Sequence, residues 1–315
     1  MSAHILVICP DPDAYTTRLA PAFPQVEFTR VATMDCRVAL DRLADADAIL
    51  SYGREFDAEC LARAKKLKWF QCVITGTDHL APVLAGSKIV LTNARGIHGP
   101  QMAEMAILHM MALYRRVPQL VRSQAAHTWD RIKPRVLDHR TVVILGVGAI
   151  AEHTAKLCKA FGMTTIGVSR TPRQVDGFDA TYPRERLLEA AAQADVLLVL
   201  LPYTKENDRV VGAAVLGAMK PGAYLINLAR GGVVDEAALV AALKERKIAG
   251  AGLDVFQESP LPASSPLWDM DNVFITPFIA GQSDQYEDNI MSIIKPNLQC
   301  FLDGRYDEMI NRVPV

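Results

Sequence analysis

The sequence predicts an α/β protein of two doubly wound parallel-sheet domains, and three observations carry that prediction. Short apolar, β-rich runs alternate with helical periodicity almost from end to end, the pattern of parallel strands joined by crossover helices. The 315 residues are 50% hydrophobic, more apolar side chains than one ordinary core needs. A glycine-rich turn stands in mid-chain between an apolar strand and an amphipathic helix.

The first set of strands reads as residues 4–9, 26–31, 48–52, 67–74 and 88–93, with helical stretches between several of them. A long helical segment follows, from about Gln101 past Val121, with Met102, Met105, Met110 and Met111 on and around one face. Those methionines read as packing residues, and any of that surface outside the subunit core reads as a dimer interface. The second set of strands is 141–146, 164–170, 196–202, 223–229, 249–256 and 273–276. A last helix, 286–302, should return to the first domain. The division is 1–98 plus 286–315 for one domain and 99–285 for the other, meeting across a cleft.

Composition narrows the function. Thirty-four basic residues against thirty-five acidic ones leave a net charge of -1, which argues against nucleic acid or an anionic membrane surface as partner. The amino terminus, MSAHILVICPDPDAY, has no basic lead, and no uninterrupted apolar run reaches the roughly 18 residues of a membrane span, so a cytoplasmic protein is expected. Six cysteines are scattered without CxxC spacing; they read as buried, reduced thiols, with no disulfide framework and no metal site.

The mid-chain segment TVVILGVGAIAEHTAKLCKAFG is a strand, a glycine turn and a helix, the context a dinucleotide fingerprint requires. Gly146 makes the tight turn, Gly148 lets the backbone approach a pyrophosphate, and the helix start at Ala149 and Ile150 offers unpaired N–H groups. Ala151 takes the third glycine's place and is small enough for helix-to-strand packing. The next strand ends in GVSRTPR, where an acid would hold the ribose hydroxyls of NAD. Ser169, Arg170 and Arg173 stand there instead, a hydroxyl and two forks suited to a 2′-phosphate. NADP(H) is therefore expected in preference to NAD(H); two solvated surface arginines are the alternative.

From Met219 the chain reads MKPGAYLINLARGGVVDEAALVAAL, then AGAGLDVFQESPLP, then PLWDMDNVFITPFIAG, and upstream stand TGTDH and TNARGIHGPQMAE. With these strings the chain resembles the D-isomer-specific 2-hydroxyacid dehydrogenases from about Leu67 to the carboxy terminus. The resemblance implies a flavodoxin-like substrate domain built from both chain ends, an inserted cofactor domain, catalysis in the cleft and a homodimer formed through the cofactor domain. It extends the dinucleotide site to Leu201, Pro202, Asn207, Leu228, Ala229, Arg230, Asp254, Phe278 and Gly281, with Asp254 at the nicotinamide amide. The loop Thr75 to Gly76 would offer backbone N–H groups to the substrate carboxylate, an ordinary turn being the alternative, and Tyr52 is a candidate pocket side chain without a diagnostic pattern.

Hydride transfer to a 2-oxo acid needs a cation to hold the carboxylate and polarise the oxygen, and Arg230 fits that need. The family's acid/base histidine and its orienting glutamate are absent: Phe278 and Ser259 occupy their places, with Glu258 one residue early. All seven histidines lie at or before His153. Water, Glu258 or His98 remain as proton donors, His98 otherwise reading as a hinge packing residue. The expected activity is reduction of a glyoxylate- or hydroxypyruvate-type acid with weakened or rerouted proton transfer. The alternative is a non-catalytic dinucleotide-binding regulatory protein. Phe278 and Ser259 favour the second reading; Arg230 and Asp254 favour the first.

Overall fold

In a computed structural model that describes residues 3–315, the described chain folds as two units, 3–97 with Ser283–Val315, and His98–Gln282. The first carries β1 (His4–Cys9), α1 (Pro12–Leu19), β2 (Glu27–Ala32), β3 (Ala48–Ser51), α2 (Ala58–Arg63), β4 (Trp69–Cys72), α3 (Ala81–Leu84) and β5 (Val90–Thr92). Its described strands form one sheet in the order β13-β5-β4-β3-β1-β2, where β13 (Arg312–Val313) runs antiparallel to β5. The central strands are buried on both faces, as covered parallel strands must be, and so read as unbroken apolar runs.

The sequence pattern does not predict β13, because two residues show no period. A buried polar chain holds the segment before it in place. Asn297, on helix 286–302, accepts from the Ile310 amide (2.8 Å) and donates to Gln71 Oε1 (3.2 Å). Thr92 donates to the same Gln71 oxygen and accepts from the Trp69 indole, both at 2.8 Å.

The second unit carries α4 (Gly99–Tyr114), α5 (Val117–Ala125), β6 (Thr141–Leu145), α6 (Ala149–Ala160), β7 (Thr164–Ser169), β8 (Ala180–Pro183), α7 (Leu187–Gln193), β9 (Val196–Val199), α8 (Ala213–Ala218), β10 (Tyr224–Asn227), α9 (Glu236–Lys244), β11 (Gly250–Leu253) and β12 (Val273–Ile275). These described strands form one all-parallel sheet, ordered β12-β11-β10-β9-β6-β7-β8. The order reverses between β9 and β6, the place where such sheets open a crevice beyond the strand ends. Helix α10 (Tyr286–Leu302) belongs to the first unit and buries Tyr286, Ile290, Ile294 and Leu298 there.

Two expectations are corrected. The single long helix from Gln101 past Val121 is two helices, because Pro118 cannot donate back to Tyr114 and Arg116 turns left-handed at φ 58°. The freed Tyr114 carbonyl accepts from Arg135 N instead (2.9 Å). Strand β8 is an edge strand ending in proline, a position that apolar periodicity does not mark. Met102 and Met110 are buried in the second unit's core and Met105 and Met111 pack against it, as a packing role requires. The six cysteines are buried thiols.

Candidate active site

Gly146 leaves β6 at φ +105°, where a Cβ would lie 3.0 Å from the Leu200 carbonyl, so the tight turn demands glycine twice over. Gly148 is different. Its φ of -126° suits any residue, and a Cβ there meets nothing within 4 Å. The chain's own packing does not need glycine at 148; the open space lies at the start of α6, where Gly148 caps without a side chain and the first-turn amides face outward. Ala151 is 1% exposed in the helix-to-sheet packing. A pocket of about 250 Å³ opens beside this turn, lined by both glycines, Ser169, Arg170, Leu201, Pro202 and Asn207. The residues fit a dinucleotide: an anion-binding helix start, a cradle that a side chain would fill, and apolar walls at the switch point.

The arginines divide. Arg170 lines the pocket and pairs loosely with Glu206 (3.4 Å), both largely exposed. Arg173 is not in the lining and instead pairs with Glu152 of α6 at 2.8 Å. Arg184, absent from the sequence expectation, also lines the pocket. It donates to Asn207 Oδ1 (2.6 Å) and to the Glu206 carbonyl, while Asn207 donates to the Pro202 carbonyl (2.8 Å). Arg184 thereby braces the 202–207 turn.

At the end of β10, Asn227 accepts from the Ala229 amide (3.1 Å) and donates to the Arg230 carbonyl (3.0 Å). This closes a turn that buries Leu228 and Ala229 and leaves Arg230 half-buried, its guanidinium donating to the Ala229 carbonyl (2.8 Å). A Cβ on Gly231 would sit 1.8 Å from the Phe256 carbonyl oxygen, so the run after Arg230 passes another backbone closer than any side chain allows.

Asp254 follows β11 and is 1% exposed. Its Oδ1 accepts from the Thr276 hydroxyl (2.6 Å) and the Ile279 amide (3.0 Å), and its Oδ2 from the Ala280 amide (3.0 Å). Its backbone carbonyl accepts from Phe278 N (3.0 Å). Asp254 thus holds the 276–280 turn on which Phe278 stands exposed at φ 59°. Glu258 and Ser259 lie on an exposed loop. His98 caps the start of α4, 8% exposed, with Gly281 against its ring. Thr276 also meets His109 Nε2 at 3.0 Å, a contact that spans 167 residues of chain and that reading along the chain does not reveal.

In the first unit, Tyr52 follows β3 and Thr75 and Gly76 follow β4, all half-buried. The Thr75 carbonyl accepts from Asn93 Nδ2 (2.8 Å), and the Val73 carbonyl accepts from the Tyr286 hydroxyl. Burial pushes the Tyr52 phenol up from its ordinary value, so it is a neutral hydroxyl at neutral pH. Among the described residues no helix is long and apolar enough to cross a membrane.

A glycine turn at the switch point of a parallel sheet, with an arginine and a buried aspartate at neighbouring strand ends, defines a dinucleotide-binding α/β oxidoreductase. The model for D-isomer specific 2-hydroxyacid dehydrogenase, NAD binding domain, matches residues 107–280, and the chain belongs to that family. It is similar to the structure of a D-isomer specific 2-hydroxyacid dehydrogenase family protein of Aeromonas salmonicida (TM-score 0.90, 34% identity, 99% of each chain). It is also similar to an NADPH-dependent glyoxylate/hydroxypyruvate reductase of Sinorhizobium meliloti in complex with NADP and malonate (TM-score 0.85, 29% identity, 99% of this chain and 97% of that one). The D-3-phosphoglycerate dehydrogenase of Methanocaldococcus jannaschii is 31% identical over 280 residues, 87% of this chain; the chain spans about half of that relative's length, 53%.

Because a Cβ at 148 meets only open space, Gly148→Val should leave urea-unfolding stability within about 0.5 kcal/mol of wild type. Dinucleotide affinity by titration calorimetry should fall more than about tenfold, since the side chain would occupy the ground over the helix start. Unchanged affinity would move the pyrophosphate elsewhere.

Proposed function

We propose that the protein is an NADP(H)-dependent reductase of small 2-oxo acids of the glyoxylate or hydroxypyruvate type, working in the cytoplasm as a homodimer. The observation that carries the reaction is Arg230 at the carboxyl end of β10, on a turn closed by Asn227 and followed by a glycine that no other residue can replace. A guanidinium so placed holds a substrate carboxylate as a planar fork and polarises the adjacent carbonyl oxygen. A bound reduced dinucleotide would supply the hydride for the carbonyl carbon, leaving the oxygen that Arg230 polarises in need of a proton. Tyr52, Thr75 and Gly76 are the residues of the first unit assigned to the substrate.

NADP(H) preference is supported by the pocket chemistry: Ser169, Arg170 and Arg184 line it, and no acid stands at the end of β7. Arg173 contributes less, being held by Glu152. Calorimetric titration should give tighter NADPH than NADH binding. Arg170→Asp should reverse the order, and Glu206→Gln, which removes the carboxylate competing for Arg170, should tighten NADPH further. Equal or tighter NADH binding to wild type would defeat this assignment.

The homodimer is supported by exposed apolar side chains on and after α5, including Val121 at 57% and Trp129 at 92% exposure. Sedimentation of the purified protein should give twice the 34.5 kDa chain mass, and Trp129→Asp with Val121→Asp should give the monomer. A monomeric wild type would exclude the dimer.

Proton transfer is the weak point. Phe278 offers no proton, Ser259 and Glu258 are exposed, and the remaining donors are water, Glu258 and His98. These substitutions favour the second reading, a dinucleotide-binding regulator. Under the enzymatic reading, a panel of 2-oxo acids should give slow NADPH oxidation that Arg230→Ala abolishes with dinucleotide affinity retained. Phe278→His with Ser259→Glu should raise turnover at least about tenfold, since a positioned acid contributes about 10²- to 10⁴-fold. The glutamate alone should do little, having nothing to orient. No oxidation with any acid, before or after the double substitution, would leave the regulatory reading.

A further inference from the structure

Helix α4 buries one imidazole among methyl and thioether groups: His109 is fully buried beside Ala106, Met110 and Leu113, with its ring edge-on to Phe274 at 4.9 Å between centroids. Its Nε2 lies 3.0 Å from Thr276 Oγ1, which lies 2.6 Å from Asp254 Oδ1. A hydroxyl has one hydrogen, and a carboxylate only accepts, so the Thr276 hydrogen goes to Asp254. Thr276 Oγ1 must then accept from His109, which places the imidazole hydrogen on Nε2 and leaves Nδ1 bare. Nδ1 is indeed a buried atom without a hydrogen-bond partner, and it faces Gly252, where a Cβ would lie 2.5 Å away. Burial also pushes the imidazole down to about 4, so the ring is neutral under working conditions.

If His109 served only to fill space, phenylalanine or leucine would do so without desolvating two nitrogens. We propose that His109 is a positioning residue: its Nε2–H fixes the Thr276 hydroxyl, which fixes the Asp254 carboxylate and with it the 276–280 turn that presents residue 278. The consequence for turnover rests on the reductase reading above; the positioning itself does not.

The test uses the full-length protein. In wild type without substrate, ring ¹⁵N shifts of His109 should report a protonated Nε2 and a bare Nδ1. His109→Phe keeps the ring volume and the Phe274 contact but removes the donor, and Thr276→Val cuts the link at the next atom. Both should speed amide exchange at Ile279 and Ala280 at least about tenfold, while amides of β6 and β9 keep their protection. His109→Gln, whose terminal amide restores a donor, should recover slow exchange. With the best oxo acid, kcat should fall about tenfold in the Phe and Val variants, and the double variant should be no slower than either, because both break one chain. An Nδ1–H tautomer in wild type, or unchanged exchange at Ile279 and Ala280 in the Thr276→Val variant, overturns the proposal. If His109→Phe does not fold, the wild-type tautomer and the valine variant still decide it. If no oxo acid is reduced while the tautomer and exchange results hold, the reductase reading fails and the positioning role stands.

Discussion

Burying a carboxylate is costly unless donors replace the water it loses, and Asp254, 1% exposed, accepts from the Thr276 hydroxyl and the Ile279 and Ala280 amides, all within 276–280. The dependence is mutual. Phe278 sits in a left-handed conformation that costs a non-glycine residue about 1 kcal/mol. That strain persists because Asp254 holds the turn from both sides, its backbone carbonyl on the Phe278 amide and its carboxylate on the next two amides. The glycines nearby answer close approaches of their own. Gly252 lets His109 lie against β11, and Gly231 lets the chain after Arg230 pass the Phe256 carbonyl. Strings such as LARGG and AGAGLD are thus packing requirements as well as a chemical signature.

The dinucleotide end is built on the opposite principle. Its charges are exposed, and the Arg170–Glu206 pair, with side chains 78% and 70% exposed, contributes about 0–1 kcal/mol. Such a pair yields easily to a stronger anion. Arg184 is tied at two points to the 206–207 backbone and side chain, so it shapes the turn more than it waits for a ligand. The charges beside the glycine turn can therefore change partner, while the groups around Asp254 could rearrange only at a cost in folding free energy.

This contrast explains what could be read from the chain alone. Buried parallel strands announce themselves as apolar runs, and the fingerprint glycines announce a turn, so the fold and the glycine turn at the switch point were legible. Apolar runs continue past the last ladder bond: 196–202, 223–229 and 249–256 become strands ending at Val199, Asn227 and Leu253, and the surplus residues form the site's turns. Arg184 was hidden because β8, the edge strand before it, has no apolar period. His109 was hidden for a different reason. Its function lies in an atom 167 residues away, and along the helix it sits where a packing residue belongs.

The same geometry bears on catalysis. At the level of sequence, Asp254 and Arg230 together favour an enzyme against Phe278 and Ser259. In the fold, Asp254 has a structural task that would retain it whatever residue 278 does, because removing it would leave Thr276 and two amides without their acceptor. Residue 278 is the reverse: its side chain is 47% exposed, and histidine enters the left-handed region more readily than phenylalanine, so a turn that accepts phenylalanine would accept either. A preserved turn is therefore no sign of a preserved acid. Asn227 and Gly231 likewise fix the backbone at 230 without specifying a cation there. Backbone geometry at that position is compatible with many side chains, so the turn alone no more specifies a guanidinium at 230 than the 276–280 turn specifies an acid at 278.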